Sequence, residues 1–393
     1  VEAGVNDLRP DTLAVRGGLA RSHFDETSEG LFLTSGYVYA TAEEAEAAFK
    51  DEIDRFVYSR YGNPTVAMFQ ERMRLLEGAE ACFATATGMA AVFVALGALL
   101  GQGDRVVSSR ALFGSCFVVL DEILPRWGVE SVFVDGTDLD QWREALSVPT
   151  AAVFFESPSN PMQELVDMEA VCEMAHAAGA KIVVDNVFGT SVFSKPLEQG
   201  ADVIVYSATK HVDGQGRTLG GAVLGTSEFI NGPVKNLMRH TGPSMSPFNA
   251  WVLLKGLETL SLRVERMAAS ALELARVLEA HPKIARVIYP WLRSHPQHEL
   301  ATKQMYGGGT VVTFELVGGK EEAFALMNAL EIVDISNNLG DAKSLITHPA
   351  TTTHRRLTPE ARLAVGITDG VCRVSVGLED VRDLIEDFER ALG

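Results

Sequence analysis

Lys210 stands in ADVIVYSATKHVDGQGRTLGG, where an apolar run beginning at Ala201 leads into Ser207, Thr209 and Lys210 and then into a glycine-rich loop. The run has the composition of a strand buried on both faces of a central sheet. Ligands of α/β folds gather outside the carboxyl ends of such strands. Partial desolvation there lowers the pKa of a lysine and makes its amine a nucleophile, which is what a Schiff-base lysine requires. Standing alone, the tetrapeptide SATK would be a solvated lysine on a loop.

A second run, AKIVVDNVF, delivers Asp185 to another strand end. A carboxylate fixed there can pair with a protonated pyridine nitrogen and keep pyridoxal phosphate electron-withdrawing; taken singly, it is an ordinary turn or cap residue. The third piece is ACFATATGMAAVFVAL, with Thr87, Gly88 and Met89 at the start of a helix that follows a strand. Backbone N–H groups and the helix dipole at such a start attract a phosphate, and the hydroxyls of Ser207 and Thr209 are further donors. The alternative is a glycine needed only for its turn. The combination, rather than any one piece, points to a pyridoxal phosphate enzyme.

The elements that must position these residues fit that chemistry. Between about residues 80 and 225, β-rich runs (DRVVSS at 104, VESVFV at 129, AAVFFES at 151, AKIVVDN at 180, ADVIVYS at 201, GGAVLGT at 220) alternate with helical patterns. This is the pattern of βαβ units in an α/β fold with a mainly parallel sheet. DMEAVCEMAHAAGA is one such helix, ending at Gly179. Residues 1 to about 60 lack the alternation and are expected to form an arm with loops. The amphipathic stretch GLETLSLRVERMAASALELARVLEAH is expected as one long helix bridging two domains. GGGTVVTFELVGG, EEAFALMNAL, EIVDISNNLG and VCRVSVG then suggest a smaller α+β domain. The expected division is 1–62, 63–260 and 261–393.

Composition excludes several function classes. The 393 residues are 47% hydrophobic, enough for sizeable cores, and 52 acidic against 34 basic residues give a charge of −18, which repels a nucleic-acid backbone. Four cysteines without a CxxC pair favour a reducing compartment over a disulfide framework or thiolate zinc site. The opening VEAGVNDLRP lacks the apolar core of a signal peptide, so a cytoplasmic enzyme is expected. The uncharged stretch 81–103 is long enough for a membrane span, yet Thr85, Thr87, Gly88, Gly97 and Gly101 divide it into a strand, a turn and a buried helix. Gly214, Gly216 and Gly220 have the wrong spacing for a dinucleotide loop. His295 and His298 lack a carboxylate or cysteine cluster and favour a polar loop over a metal site. No catalytic role is assigned to His348 or His354, and no metal is expected.

The chain resembles the pyridoxal-phosphate enzymes of cysteine and methionine metabolism. The likeness runs through TLAVRGG, YSRYGNPT, ATGMAA, ESPSNP, VVDNVFGT, YSATKHVDGQGRTLGGAV, SHPQHELA, LGDAKSLITHPATTTH and VCRVSVGLED, in that order. It implies a fold type I transferase subunit with a smaller C-terminal α+β domain, assembled as a homotetramer of dimers with shared active sites. It makes Lys210 the lysine that carries the cofactor and puts Asp185 at the pyridine nitrogen. It places Tyr58 and Arg60 on the cofactor phosphate of the neighbouring subunit, where the guanidinium fork suits phosphate oxygens. Gly88, Met89, Ser207 and Thr209 are then the remaining phosphate contacts, and Asn160 lies near the 3′-oxygen. Arg373 becomes the clamp for the substrate α-carboxylate, an internal carboxylate partner being the alternative, and Tyr58, Asn338 and Leu339 join it on the substrate side.

Departures from the family pattern matter for its chemistry. Where relatives commonly read L-Y-G-G-T-Y-R, this chain has Leu112, Phe113, Gly114, Ser115, Cys116, Phe117 and Val118. Phe113 can cover the pyridine face but has no phenol to move a proton, and Val118 replaces an arginine of γ-synthases. Cys116 is either near the cofactor or a small buried hydrophobe. Asn337 and Asn338 stand where serine is frequent, and Val187 where threonine is. NNLGDAKSLITHPATTTH together with FGSC is most similar to the O-succinylhomoserine sulfhydrylase branch. That branch implies γ-replacement, in which Lys210 moves the α- and β-protons, the γ-ester leaves as a carboxylate and sulfide takes its place to give homocysteine. Cystathionine γ-synthase, O-acetylhomoserine sulfhydrylase and γ-lyase are the alternatives within the enzyme class. A non-catalytic regulator that kept the fold is the alternative outside it, and the joint presence of Lys210, Asp185, Arg60 and Arg373 argues against that.

Overall fold

The computed structural model describes residues 8–393; the first seven residues of the expected arm, including most of the charged opening, lie outside the described residues. Seven strands hydrogen-bond in the order β1-β7-β6-β5-β4-β2-β3. They are β1 (Ala81–Thr85), β2 (Arg105–Ser109), β3 (Glu130–Val134), β4 (Ala152–Glu156), β5 (Lys181–Asp185), β6 (Val203–Ser207) and β7 (Gly221–Gly225). Each coincides with one of the apolar runs. Five further strands, β8 (Ile284–Ile288), β9 (Val311–Leu316), β10 (Asp334–Ile335), β11 (Leu345–Thr347) and β12 (Val371–Ser375), form a second sheet in the order β10-β11-β12-β9-β8. The protein is an α/β fold with a mostly parallel central sheet and a smaller second sheet.

Two compact units divide the chain. The first comprises the chain up to Ala98, Val205–Thr209 and Arg217–Thr259; the second comprises Leu99–Ile204, Lys210–Gly216 and Leu260–Gly393. In the first, β1 and β7 pair antiparallel, an exception to the parallel rule that lets the chain return beside β1. Both strands are buried along their whole length. The arm is less irregular than its sequence suggests, because Pro10–Arg16 and Ala42–Phe49 are helical. Its anchor is Glu29, whose buried carboxylate pairs with Arg72 at 2.6 Å and also with Lys255. Trp251 Nε1 donates to the Glu29 carbonyl at 3.0 Å. A buried charge is tolerated only when paired in this way.

In the second unit β3, β2, β4 and β5 are parallel neighbours. The helix Met168–Ala177 packs its apolar face on them, contributing Val171, Cys172 and Ala175 to a core with Trp142, Val153 and Phe155. Asp167 caps its start and Gly179 follows its end at φ 81°, a conformation glycine adopts without steric cost. The expected single helix beyond residue 256 is two helices, Pro247–Leu257 and Leu260–Ala280. The interruption is Glu258 and Thr259, just after Gly256; glycine and threonine are weak helix formers. The terminal helix Val381–Leu392, capped by Asp380, was not anticipated; its Leu384, Phe388 and Leu392 join Phe314, Val374 and Leu274 in the core of the second sheet. All four cysteines are buried and outside any disulfide, and among the described residues no helix is long and apolar enough to cross a membrane.

Candidate active site

Two adjacent strand ends of the second unit carry acidic side chains. Because β4 and β5 are parallel and in register, their last residues, Glu156 and Asp185, are direct neighbours. Asp185 accepts a hydrogen bond from the Val187 N–H at 3.0 Å. Among the described residues no cation pairs with it, and burial pushes its carboxyl above the usual range. Glu156, also buried, accepts from the Phe113 N–H at 2.6 Å and the Asn160 N–H at 3.4 Å. Cys116 is fully buried, and its Sγ lies with the carboxylate oxygens of Glu156 and Asp185 inside a 4.8 Å cluster. Cys116 is thus a buried small side chain, and it adjoins Asp185. Burial, with the two carboxylates, holds its thiol well above the ordinary value, so it is inert as a nucleophile.

Lys210 opens the short segment that belongs to this unit. Its Nζ donates to Asn338 Oδ1 at 2.5 Å. Burial, aided by the positive charge of Arg373, lowers its pKa to about 8, so that roughly a tenth of the amine is uncharged at pH 7, far more than for an ordinary lysine. The loop bearing Asn338 passes close: a Cβ on Gly340, which has φ 71°, would lie 2.7 Å from the His211 nitrogen. Glycine at this position thus permits the approach that brings Asn338 to the lysine. Leu339 turns its side chain into an apolar cluster with Phe188 and Val311.

Arg373, on β12, is 1% exposed. Its Nη1 donates to Asn160 Oδ1 at 3.0 Å, and its Nη2 donates to the Asn337 and Asn338 carbonyls at 2.9 and 3.1 Å. The alternative of an internal carboxylate partner is not what the structure shows: all these acceptors are neutral, and Nε has no partner. Burial lowers the pKa to about 10, leaving the guanidinium charged at neutral pH. A buried cation held by neutral oxygens, with a donor to spare, is built to meet an anion.

The first unit holds the remaining predicted residues. Gly88 opens the helix Gly88–Leu99 directly after β1, and a Cβ on it would lie 2.5 Å from Ser207 Cβ. That close approach sets the first turn of the helix, with Met89, against the end of β6. Thr209 is fixed by an exchange with Gly220, its Oγ1 accepting from the N–H at 3.1 Å. Elsewhere in this unit Tyr58 is exposed and the Arg60 guanidinium lies 5.4 Å from its ring centroid and 4.8 Å from that of Tyr61. Arg60 also donates to the Arg239 carbonyl, and the Arg239 guanidinium lies 5.0 Å from the same Tyr61 ring. Two guanidiniums around one ring make a locally positive patch.

The histidines are engaged otherwise. His348 Nε2 meets the Asp369 carbonyl at 2.8 Å and its Nδ1 meets Thr351 Oγ1 at 2.9 Å. His298 Nδ1 meets the Pro290 carbonyl at 3.1 Å, and His295 Nδ1 accepts from the Gln297 N–H at the same distance.

Residues 11–393 match the family model described as Cys/Met metabolism PLP-dependent enzyme. The chain belongs to that family. It is 64% identical over 385 residues to an O-succinylhomoserine sulfhydrylase of Mycobacterium tuberculosis, covering 97% of this chain and 95% of the relative. It is 50% identical over 382 residues to the enzyme of that name from Pseudomonas aeruginosa, covering 97% and 94%. A solved structure from Campylobacter jejuni, described as a putative O-acetylhomoserine (thiol)-lyase with a pyridoxyl-lysine-monophosphate, superposes with TM-score 0.94 at 32% identity, covering 98% of this chain and all of that one.

The cofactor of the family fits the residues present. Asp185 is a half-buried, desolvated carboxylate that no cation among the described residues pairs with, which suits a pyridinium partner. Lys210 is a desolvated amine, and Gly88, without a side chain, lets the first helical turn come up against Ser207. This protein is a PLP-dependent enzyme. Sequence reasoning missed Glu156, although AVFFE and KIVVD, two adjacent parallel strands each ending in an acid, carried the signal.

Proposed function

We propose that the chain converts O-succinylhomoserine and sulfide to homocysteine and succinate, a γ-replacement of methionine biosynthesis. The observation that carries this is Arg373, a buried, charged guanidinium with an unpartnered Nε and no carboxylate of its own, in the same unit as the desolvated amine of Lys210. Such a pair suits an amino-acid substrate, whose carboxylate answers the arginine and whose α-proton answers the amine. The high identity to two relatives of that name supports the choice of leaving group and sulfur donor.

When bound, pyridoxal phosphate supplies the electron sink for loss of the α-proton. Lys210 Nζ is the base for that proton and then carries protons at the β-carbon. Asn338 Oδ1 holds the amine in place while it does so. The γ C–O bond breaks with its electron pair leaving on succinate, and sulfide forms the new C–S bond at the same carbon. Phe113 covers the ring but has no hydroxyl to relay protons, which concentrates proton transfer on Lys210. Arg373, Asn338, Leu339 and Tyr58 bind the substrate; Asp185, Asn160 and Phe113 meet the cofactor ring; Tyr58, Arg60, Gly88, Met89, Ser207 and Thr209 meet its phosphate.

Tyr58 and Arg60 serve the neighbouring subunit of a homotetramer built from dimers with shared sites, which accords with the exposure of Tyr58 and the positive patch around Tyr61. The 1–62 arm, a cofactor-binding domain over 63–260 and a C-terminal domain over 261–393 are the functional divisions. A cytoplasmic location accords with four buried cysteines that form no disulfide.

One assay tests the activity. The cofactor-loaded protein is given O-succinylhomoserine with sulfide, with cysteine and with neither, and homocysteine, cystathionine and α-ketobutyrate are resolved. Dominant homocysteine is expected. Dominant cystathionine would make the chain a γ-synthase in spite of Val118, and α-ketobutyrate alone would make it a lyase.

A further inference from the structure

We propose that Glu156 is a positioning residue for the cofactor ring, its carboxyl fixing the backbone at Phe113 and Asn160 while bordering Asp185, a role that rests on the proposed placement of those three residues around pyridoxal phosphate. Each of the three is tied to Glu156 by a separate observation. The Phe113 N–H donates to Oε1 at 2.6 Å, which fixes the residue that caps the start of the helix Gly114–Val118 and so sets the course of the chain into it. The Asn160 N–H lies 3.4 Å from Oε2, and the Asn160 side chain in turn accepts from Arg373 at 3.0 Å. Asp185 is the register partner of Glu156 across β4 and β5.

Glu156 therefore joins the residue over the ring face, the residue at the 3′-oxygen and the residue at the ring nitrogen, through contacts 29 to 43 residues distant in sequence for Asp185 and Phe113. A carboxyl at a buried strand end is costly, and no structural need of β4 explains it, since the rest of that strand is wholly apolar.

Of two carboxyls side by side, one buried and one half-buried, the more buried is the one that holds its proton. Burial, and then the charge of Asp185, push Glu156 upward, and the remaining titratable neighbour, Cys116, is a neutral thiol that hydrogen-bonds to it. The two N–H donors require acceptor oxygens, and the longer contact at Oε2 leaves that oxygen the room to carry a proton. A neutral Glu156 keeps its hold on Phe113 through Oε1 and leaves the negative charge to Asp185, where the pyridinium needs it. Glutamine has the same shape: its Oε1 can serve Phe113, and its NH2, which cannot accept, gives up only the long 3.4 Å contact from the Asn160 N–H.

The test uses the holoprotein and two readouts that are independent of turnover: the rate at which pyridoxal phosphate is lost, and the pH dependence of its visible absorption. Glu156→Gln is expected to stay within about threefold of wild type in cofactor loss, with an unchanged pH transition. Glu156→Ala and Glu156→Asp, which remove or withdraw the acceptor, are expected to lose the cofactor about tenfold faster or more and to shift the transition. Should Glu156→Ala fail to fold, the Asp and Gln variants decide on the same criteria.

The inference is overturned if the Ala or Asp variant matches wild type in both readouts, or if Gln departs as far as they do. Asp185→Asn is the separate control: if it too leaves both readouts unchanged, the placement around the ring is what fails. If it alone changes them, the role of Glu156 fails.

Discussion

Lys210 Nζ and Asn338 Oδ1, 128 residues apart in sequence, are joined by a hydrogen bond of 2.5 Å. The amine that must move protons is thus held by a side chain of the loop leading to β11, not left to swing on its four-carbon stem. Asn338→Ala is expected to lower kcat by roughly tenfold to a hundredfold, the worth of one hydrogen bond to a charged or partly charged amine. Steady-state kinetics with retained cofactor binding checks this. Asn338→Asp would place an anion beside the amine and raise its pKa, moving the alkaline-rising limb of the pH–rate profile about one unit higher.

Arg373 acts on the same amine from a distance, its charge helping to hold Lys210 down at about pH 8. Arg373→Gln is expected to raise KM and lower kcat/KM by roughly a hundredfold or more, since a buried charged clamp is lost. It also removes a like charge, so the pKa of Lys210 rises and the limb of the pH–rate profile moves upward. A KM effect without that pH shift would mean that the guanidinium does not reach the lysine electrostatically.

Lys210 costs the cofactor-free protein stability. Its folded pKa of about 8 lies below the unfolded value of 10.5, so between these pH values the unfolded chain binds more protons and stability rises with pH. Below pH 8 the full cost is present. Lys210→Met is therefore expected to stabilise the apoprotein at pH 7 by about 2–3 kcal/mol, an advantage that disappears as pH approaches 10.5. Denaturant unfolding of both apoproteins across that range measures it.

Gly88 is fixed by the approach of the helix start to Ser207, where an added Cβ would come within 2.5 Å. Gly88→Ala is expected to destabilise the apoprotein by about 1–3 kcal/mol through overpacking and to speed cofactor loss, since the first helical turn must move. Thermal unfolding and dialysis of the holoprotein separate the two effects.

Local pattern was enough to place β1 to β7, because strands buried on both faces are short continuous apolar runs bounded by turns. It also placed Lys210 and Asp185, because each stands at the end of such a run. It overran the break at Glu258 and Thr259, because the apolar spacing continues across it, and it passed over the terminal helix Val381–Leu392.

What only the tertiary structure decided is the company these residues keep. That Glu156 adjoins Asp185 follows from the parallel register of β4 and β5, which depends on how two strands 29 residues apart align. That Asn338 meets Lys210, and Arg373 meets Asn160 across 213 positions, depends on loops closing over those strand ends. A one-dimensional pattern records which side chains each segment buries, because burial is a property of the segment. Which polar atoms then satisfy one another is a property of segments far apart in the chain, and it is fixed only when the backbone has closed.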